Sequence, residues 1–110
     1  MSRGRLGGGL VAALLLLATP ALASEPTALR AAELKDMVIQ DCGSCHGMTM
    51  KGGLGLPLTR DRLAEIPAEA LSAAILDGRP GTPMPPWRGM LNEAEADWIA
   101  RYLKGETDVR

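Results

Sequence analysis

The segment Cys42-Gly43-Ser44-Cys45-His46 constrains this chain most, because it brings two thiols and an imidazole close together. In a C-x-x-C-H motif the two thiols can each bond a vinyl group on the same edge of a porphyrin. The adjacent histidine can then ligate the iron. The chain has 2 cysteines and 1 histidine, and all of them lie in this motif. The motif therefore predicts one c-type haem, attached through Cys42 and Cys45 and ligated by His46.

Three other uses of these side chains fit less well. A redox-active C-x-x-C dithiol needs a thioredoxin-like βαβ setting, and no parallel-strand pattern surrounds the motif. A zinc site would lack its fourth ligand, since two cysteines and one histidine provide three. A disulfide across two intervening residues closes too short a loop to add much stability. Haem attachment is the interpretation that uses all three side chains.

The first 23 residues have the three parts of a secretory signal peptide. Arg3 and Arg5 form a basic start, residues 10–18 are an apolar stretch, and residues 21–23 form an A-x-A cleavage site. We expect cleavage after Ala23, which leaves residues 24–110 as one small domain outside the cytoplasm. The alternative is an uncleaved anchor, although the apolar stretch is short for a membrane span of about 20 residues.

Charge limits the possible partners of the mature domain, and its size bears on its stability. Without Arg3 and Arg5, 10 of the 12 basic residues remain against 13 acidic residues, a formal charge of −3. No basic run is present, so nucleic acid is not an expected partner. A domain this small has a limited core, and a large apolar cofactor held by two covalent bonds would stabilise it.

The hydrophobic pattern predicts an all-α fold, with three main helices and long loops wrapped around one haem. Thr27 can cap a first helix that runs to about Gln40 and leads into the motif. Pro67 suits the first position of a second helix, and Gly78 would end that helix in a left-handed cap. No strand is predicted.

The third helix has clear signals at both ends. Asn92 can cap it, Glu95 stands at the capping-box position, and Gly105 is a natural stop. A glycine-rich loop over residues 47–58 and a proline-rich loop over residues 79–89 separate the helices, with a brief helical turn from Thr59. Loops of this length are unusual in a small domain unless they wrap a cofactor.

A six-coordinate haem iron needs a second axial ligand, and methionine sulfur is the available one. Met84 lies between Pro83 and Pro85, whose rings would stiffen the backbone around the thioether. We expect Met84 to be the distal ligand and keep Met90 as the alternative. Three further methionines lie on the first helix or too close behind His46: Met37, Met48 and Met50.

Four more residues are candidates for contacts to the haem or its histidine. A proximal histidine donates its second ring N–H to an acceptor, and we expect the Pro57 carbonyl to accept from His46. Trp87 could donate its indole N–H to a haem propionate, and Arg79 and Arg88 could form charge-assisted bonds to the propionates. The alternative is that the arginines are solvated and that Trp87 only packs.

Three segments together resemble a class I cytochrome c: CHG at residues 45–47 with its preceding cysteine, MPPW at residues 84–87, and a final helix with Ile99, Tyr102 and Leu103. The resemblance implies a cytochrome c domain over residues 24–110. It also implies that the first and last helices cross, with Trp98 or Tyr102 in the contact. One departure is Leu56, which separates a Gly-Pro pair that is adjacent in many members.

A narrower resemblance, over residues 45–53 (CHGMTMKGG) and 75–87 (ILDGRPGTPMPPW), is to the cytochrome c55X family. It implies a small periplasmic cytochrome of denitrifying bacteria, with cytochrome cd1 nitrite reductase as redox partner. The leading function is then a monomeric one-electron carrier and not an enzyme, with no membrane span after cleavage. Two alternatives stay open: a redox or assembly factor in haem d1 maturation, and a haem-based sensor that binds a gas ligand when Met84 dissociates.

Overall fold

The computed structural model describes residues 24–107 and, in the leader, positions 1, 4, 7–9, 13, 14 and 17. Arg3, Arg5 and the Ala21–Ala23 cleavage site lie outside the described residues, so the signal peptide stays a prediction. Among the described residues, no helix is long and apolar enough to cross a membrane.

The described domain, residues 24–107, is helical and contains no strand. This confirms the all-α fold class. Its elements are α1 (Ala28–Met37), a π-helical turn (Val38–Cys42), α2 (Gly43–His46), α3 (Arg60–Leu63), α4 (Ala68–Asp77) and α5 (Glu93–Lys104). Residues 47–59 and 78–92 form the two loops, close to the ranges predicted.

The first helix begins as predicted but does not end near Gln40. Thr27 Oγ1 accepts from the Arg30 N–H at 3.2 Å. The chain then passes through the π turn, in which the Gly43 N–H donates to the Val38 carbonyl, and continues as α2. A π turn takes one more residue per hydrogen-bonded ring, so it changes the direction in which later residues point. The attachment motif therefore lies on this helix and not after it.

The second main helix differs from its prediction at both ends. Pro67 is its N-cap, and the helix begins one residue later, at Ala68. Gly78 has φ 68° and ψ −171°, so its backbone is not the left-handed helical cap that was predicted. The extended ψ turns the chain sharply into the proline-rich loop.

The third main helix matches its predicted signals. The Asn92 side chain accepts from the Glu95 N–H at 2.9 Å, and the Glu95 carboxylate accepts from the Asn92 N–H at 3.0 Å. Gly105 ends the helix in the left-handed conformation, with φ 75° and ψ 22°. These three residues determine where α5 begins and ends.

The core joins α1, α4 and α5. Its most deeply buried large side chains are Leu34, Val38 and Ile99. Trp98 belongs to the same buried cluster and stacks on Tyr102, with ring centroids 5.2 Å apart. Residues of α1 and α5 share this cluster, so the contact between the two helices expected from the family resemblance is present. The place of Trp98 or Tyr102 in that contact stays a prediction.

Two polar contacts tie the helices together at the margins of this core. Arg30 on α1 donates from Nε to Glu95 on α5 at 2.6 Å. Lys104, whose side chain is 7% exposed, donates to the carbonyls of three residues at the end of α3 and beyond: Leu63 at 3.0 Å, Ala64 at 3.1 Å and Ile66 at 2.6 Å. The ammonium thereby satisfies carbonyls that a helix end leaves free.

Glu95 links the capping box of α5 to α1, so its replacement tests this arrangement. We expect Glu95→Ala to lower the free energy of unfolding by about 1–3 kcal/mol, because it removes half of the capping box and a partly buried ion pair. Urea unfolding followed by circular dichroism measures this change. A loss of less than a few tenths of a kcal/mol would contradict the assignment.

The charge of Glu95 adds a pH dependence. The hydrogen bond from Arg30 lowers the pKa of Glu95 below its usual value of 4.5. The ion pair therefore stabilises the fold fully above the usual pKa and is lost as pH falls through the lowered one. Glu95→Gln removes the charge and keeps the side-chain shape, so its difference from the unaltered protein should shrink in acid.

Candidate functional site

The three chemistry-bearing side chains of the motif lie within little more than one turn of a continuous helix. Cys42 ends the π turn, and Cys45 and His46 lie in α2. Both thiols are free of disulfide; Cys42 is half-buried and Cys45 is exposed. Burial, with the nearby charge of Asp41, raises the pKa of Cys42 to about 11. Both thiols are therefore available on one helical segment, and that of Cys42 is protonated at neutral pH.

The imidazole of His46 is oriented by the loop that follows it. Its Nδ1 lies 2.6 Å from the carbonyl oxygen of Leu56. A carbonyl only accepts hydrogen bonds, so Nδ1 carries a proton, and in the neutral imidazole the lone pair then lies on Nε2. Gly55 lies close to the ring: a Cβ atom at this position would be 2.8 Å from both Cε1 and Nδ1 of His46. The contact thus favours the neutral tautomer in which Nε2 is the nitrogen that can bind a metal.

The prediction that the Pro57 carbonyl accepts from His46 is wrong by one residue. Leu56 separates Gly55 from Pro57, so the carbonyl that reaches Nδ1 is that of Leu56. The Pro57 ring instead packs on Gly52, where a Cβ atom would be 3.2 Å from Pro57 Cγ. The extra residue that departs from the Gly-Pro pattern therefore shifts the acceptor, and the hydrogen bond itself is kept.

Backbone hydrogen bonds hold this loop against the end of α2. The Gly52 N–H donates to the His46 carbonyl at 2.8 Å, and the Gly55 N–H donates to the Cys45 carbonyl at 2.7 Å. Gly47 and Gly52 have φ of 90° and 105°, in the region that favours glycine, and a Cβ on Gly47 would be 2.6 Å from the Gly52 carbonyl oxygen. The glycines of the loop therefore allow the backbone to approach the helix end closely enough to hold the histidine.

This donor set fits a covalently attached haem. Cys42 and Cys45 supply the two thiols for thioether bonds, and Nε2 of His46 supplies an imidazole ligand whose tautomer is already set. A Cβ atom on Gly55 would occupy the space that the imidazole needs. The residues present therefore suit the group that the motif predicts.

The candidate distal methionines differ in burial. Met84 is half-buried and packs against the core cluster, as Trp87 does. Met90 is 60% exposed and Met48 is 61% exposed. The side chains of Met48 and Met50 pack against the attachment helix, since they would be 3.4 Å and 3.5 Å from a Cβ atom on Gly43.

The predicted propionate donors have different surroundings. Arg88 donates from Nε and Nη2 to one oxygen of Asp77, at 2.9 Å and 2.8 Å. The side chain of Arg79 is exposed and makes no hydrogen bond within residues 24–107. Arg88 therefore already has an acidic partner, whereas Arg79 is free to meet an anion. Contacts from Trp87 and from both arginines to the propionates stay predictions.

Sequence reasoning missed the roles of Gly55, Leu56 and Gly78. The carbonyl of Leu56 acts through the backbone, so its residue type gives no signal. A Cβ on Gly78 would lie 2.8 Å from Met84 O, Pro85 C and Pro86 N, which makes this glycine the support of the methionine loop. The proline-rich run directly after Gly78 is the available signal, although a glycine at the end of a helix also predicts a cap.

Comparison with known proteins agrees with this geometry. Residues 29–103 match the family model described as cytochrome c oxidase, cbb3-type, subunit III. The chain is 56% identical over 96 residues to cytochrome c55X of Paracoccus denitrificans (strain Pd 1222), a match that covers 86% of this chain and 93% of that protein. This chain belongs to the cytochrome c55X family. As a member with a single attachment motif, it is a monohaem c-type cytochrome with covalently bound haem c.

Solved structures give the same result for the fold. The c-type cytochrome NirC superposes with a TM-score of 0.71 at 49% identity, over 73% of this chain and 94% of that chain. Dihydro-heme d1 dehydrogenase NirN in complex with DHE superposes with a TM-score of 0.59 at 34% identity, over 64% of this chain and 15% of that chain. The resemblance to a class I cytochrome c and to cytochrome c55X is therefore confirmed.

Gly55→Ala tests the support of the histidine. The added methyl group would displace the imidazole and lengthen the Leu56 hydrogen bond, which makes the ring a poorer electron donor to the iron. We expect the reduction potential of the haem-loaded protein to rise by roughly 20–60 mV, the equivalent of one hydrogen bond. Protein-film voltammetry or redox titration measures this shift.

Gly89→Ala is the matched control, since a Cβ atom there meets nothing within 4 Å. Its potential should equal that of the unaltered protein. Equal potentials in all three proteins would show that the loop does not hold the imidazole.

Proposed function

We propose that this cytochrome is a periplasmic one-electron carrier whose axial ligands are His46 and Met84, and that it serves the nitrite reductase system. The observation that carries the proposal is the hydrogen bond that orients the His46 ring, from Nδ1–H to the Leu56 carbonyl, which leaves Nε2 for the iron. Export fits the signal-like leader, and covalent attachment prevents loss of the cofactor outside the cytoplasm.

Burial favours Met84 over Met90 and Met48, and its place in the chain favours it over Met37 and Met50. It is half-buried beside Trp87 in a loop whose prolines restrict the backbone. Met90 is largely exposed, and Met48 and Met50 pack on the attachment helix at Gly43. A ligand delivered by a separate, stiff loop can approach from the side away from His46.

Each residue then has a defined task. When bound, the haem supplies reversible one-electron chemistry at its iron. Cys42 and Cys45 fix its position, and the Leu56 carbonyl holds the His46 ring in one tautomer and orientation. The Met84 thioether is a soft, neutral ligand that favours the reduced state and so raises the potential. With His46 and Met84 both holding the iron, the protein would need little rearrangement during electron transfer.

Met84→Ala tests the distal ligand. We expect the oxidised variant to lose the sulfur-to-iron charge-transfer band, because the thioether that produces it is removed. Met90→Ala is the matched control and should keep the band. Visible absorption spectra of the two oxidised variants decide the matter: survival of the band in Met84→Ala with its loss in Met90→Ala would reverse the assignment.

A second function is favoured by the similarity to dihydro-heme d1 dehydrogenase, which matches this fold over a small part of its length. A free-standing protein of the same fold could exchange electrons with such an enzyme. Oxidation of a dihydro-haem to a haem releases two electrons and two protons. A monohaem carrier takes one electron at a time, so two oxidised copies would be reduced for each dihydro-haem oxidised.

Deletion of the gene in a denitrifying host separates the two functions. If the protein delivers electrons to nitrite reductase, the enzyme isolated from the deletion strain should contain haem d1 and should turn over with an artificial electron donor. If the protein acts in haem d1 maturation, the isolated enzyme should lack haem d1. The haem d1 spectrum and the donor-driven activity measure these outcomes, and an unchanged strain would contradict both.

A further inference from the structure

The loop that carries Met84 is anchored at both ends to the end of α4. The Trp87 N–H donates to the carbonyls of Ile75 and Leu76 at 3.1 Å each, and the Arg88 N–H donates to the Leu76 carbonyl at 3.1 Å. These carbonyls belong to the last turn of α4, where no further turn of the helix would satisfy them. The loop therefore begins and ends at the last turn of α4.

The returning segment of the loop, residues 84–86, packs directly on Gly78. A Cβ atom at this position would be 2.8 Å from Met84 O, Pro85 C and Pro86 N, and the glycine has φ +68°. The next residue extends the contact, since the Arg79 N–H donates to the Met84 carbonyl at 3.2 Å. The carbonyl side of Met84 is thus held by backbone contacts.

The amide side of Met84 depends on one hydroxyl group. Residues 83, 85 and 86 are prolines, so Met84 has the single backbone N–H between residues 83 and 86. This N–H donates to Thr82 Oγ1 at 3.4 Å. The same hydroxyl donates to the Arg79 carbonyl at 2.6 Å, and the Thr82 N–H donates to that carbonyl at 3.0 Å. The Thr82 hydroxyl therefore links the backbone of Arg79 to the backbone of Met84.

We propose that Thr82 is a positioning residue that keeps the Met84 sulfur on the iron. The inference rests on the proposed axial ligation by Met84. Proline rings fix their own φ angles but leave the orientation of Met84 relative to Arg79 to hydrogen bonds. Without the hydroxyl, the Met84 N–H has no other protein partner within residues 24–107, and the backbone of Met84 is held only through its carbonyl.

Competition by added imidazole measures how often the sulfur leaves. An external ligand binds only the fraction of molecules with an open distal position, so its apparent dissociation constant falls as that fraction rises. Thr82→Val removes the hydroxyl at nearly constant shape. We expect it to tighten imidazole binding to the oxidised protein by about twofold to tenfold, the factor that corresponds to one hydrogen bond. Thr82→Ser keeps the hydroxyl and should match the unaltered protein.

Two further variants separate this effect from others. Thr27→Val also removes a threonine hydroxyl, at the cap of α1, where it accepts from the Arg30 N–H at 3.2 Å. It should lower the thermal midpoint without a change in imidazole affinity. Met84→Ala should give the tightest imidazole binding, because no sulfur competes.

The outcomes are distinct. Tighter binding in Thr82→Val, with rescue by Thr82→Ser and no change in Thr27→Val, supports the role of Thr82. Equal affinity in Thr82→Val and the unaltered protein, with much tighter binding in Met84→Ala, overturns that role and leaves Met84 as the ligand. If Met84→Ala binds imidazole no more tightly and keeps the charge-transfer band, both the ligation by Met84 and the role of Thr82 are overturned.

Discussion

Helical continuity from Ala28 to His46 is the constraint on which the rest of the structure depends. Leu34 of α1 and Val38 at the start of the π turn are buried in the core that α5 shares, while Cys42 at the end of the turn and Cys45 and His46 in α2 carry the motif. Packing of the helix on the core therefore places the attachment site at the same time. Because the π turn lies between α1 and α2, it sets the direction of the motif relative to the packed face of α1.

The small core explains why polar contacts at the ends of helices matter here. Arg30 and Glu95 join α1 to α5, and Lys104 satisfies three carbonyls at the end of α3 and just beyond it. Each contact uses a charged group at a site with limited exposure, where hydrogen bonds to ions are stronger than between neutral groups. Such contacts hold the helices in register around a cofactor that also contributes apolar surface.

The two loops solve different problems with different residues. The loop after His46 uses glycines, because its backbone must approach the helix end and the imidazole without side-chain clashes. The loop before α5 uses prolines, because it must present one thioether from a backbone with few alternative conformations. Prolines also remove hydrogen-bond donors, which leaves Met84 dependent on Gly78 beneath it and on Thr82 beside it.

The sequence by itself determined the chemistry and the helical content. Cys42, Cys45 and His46 identify a haem site because few other uses need those three groups at that spacing, and the caps at Thr27, Asn92 and Gly105 act locally, within one helical turn. At these three positions the local signal and the tertiary packing agree.

Tertiary structure alone decided which backbone atoms meet. The acceptor for His46 is the Leu56 carbonyl rather than that of Pro57, Gly78 supports a loop instead of capping a helix, and Arg88 is paired with Asp77. Each of these depends on chain segments brought together by folding. Every residue has a backbone carbonyl, so residue type does not show which one will accept a hydrogen bond. Glycine likewise occurs at a helix end both where it caps the helix and where another chain segment packs closely on it.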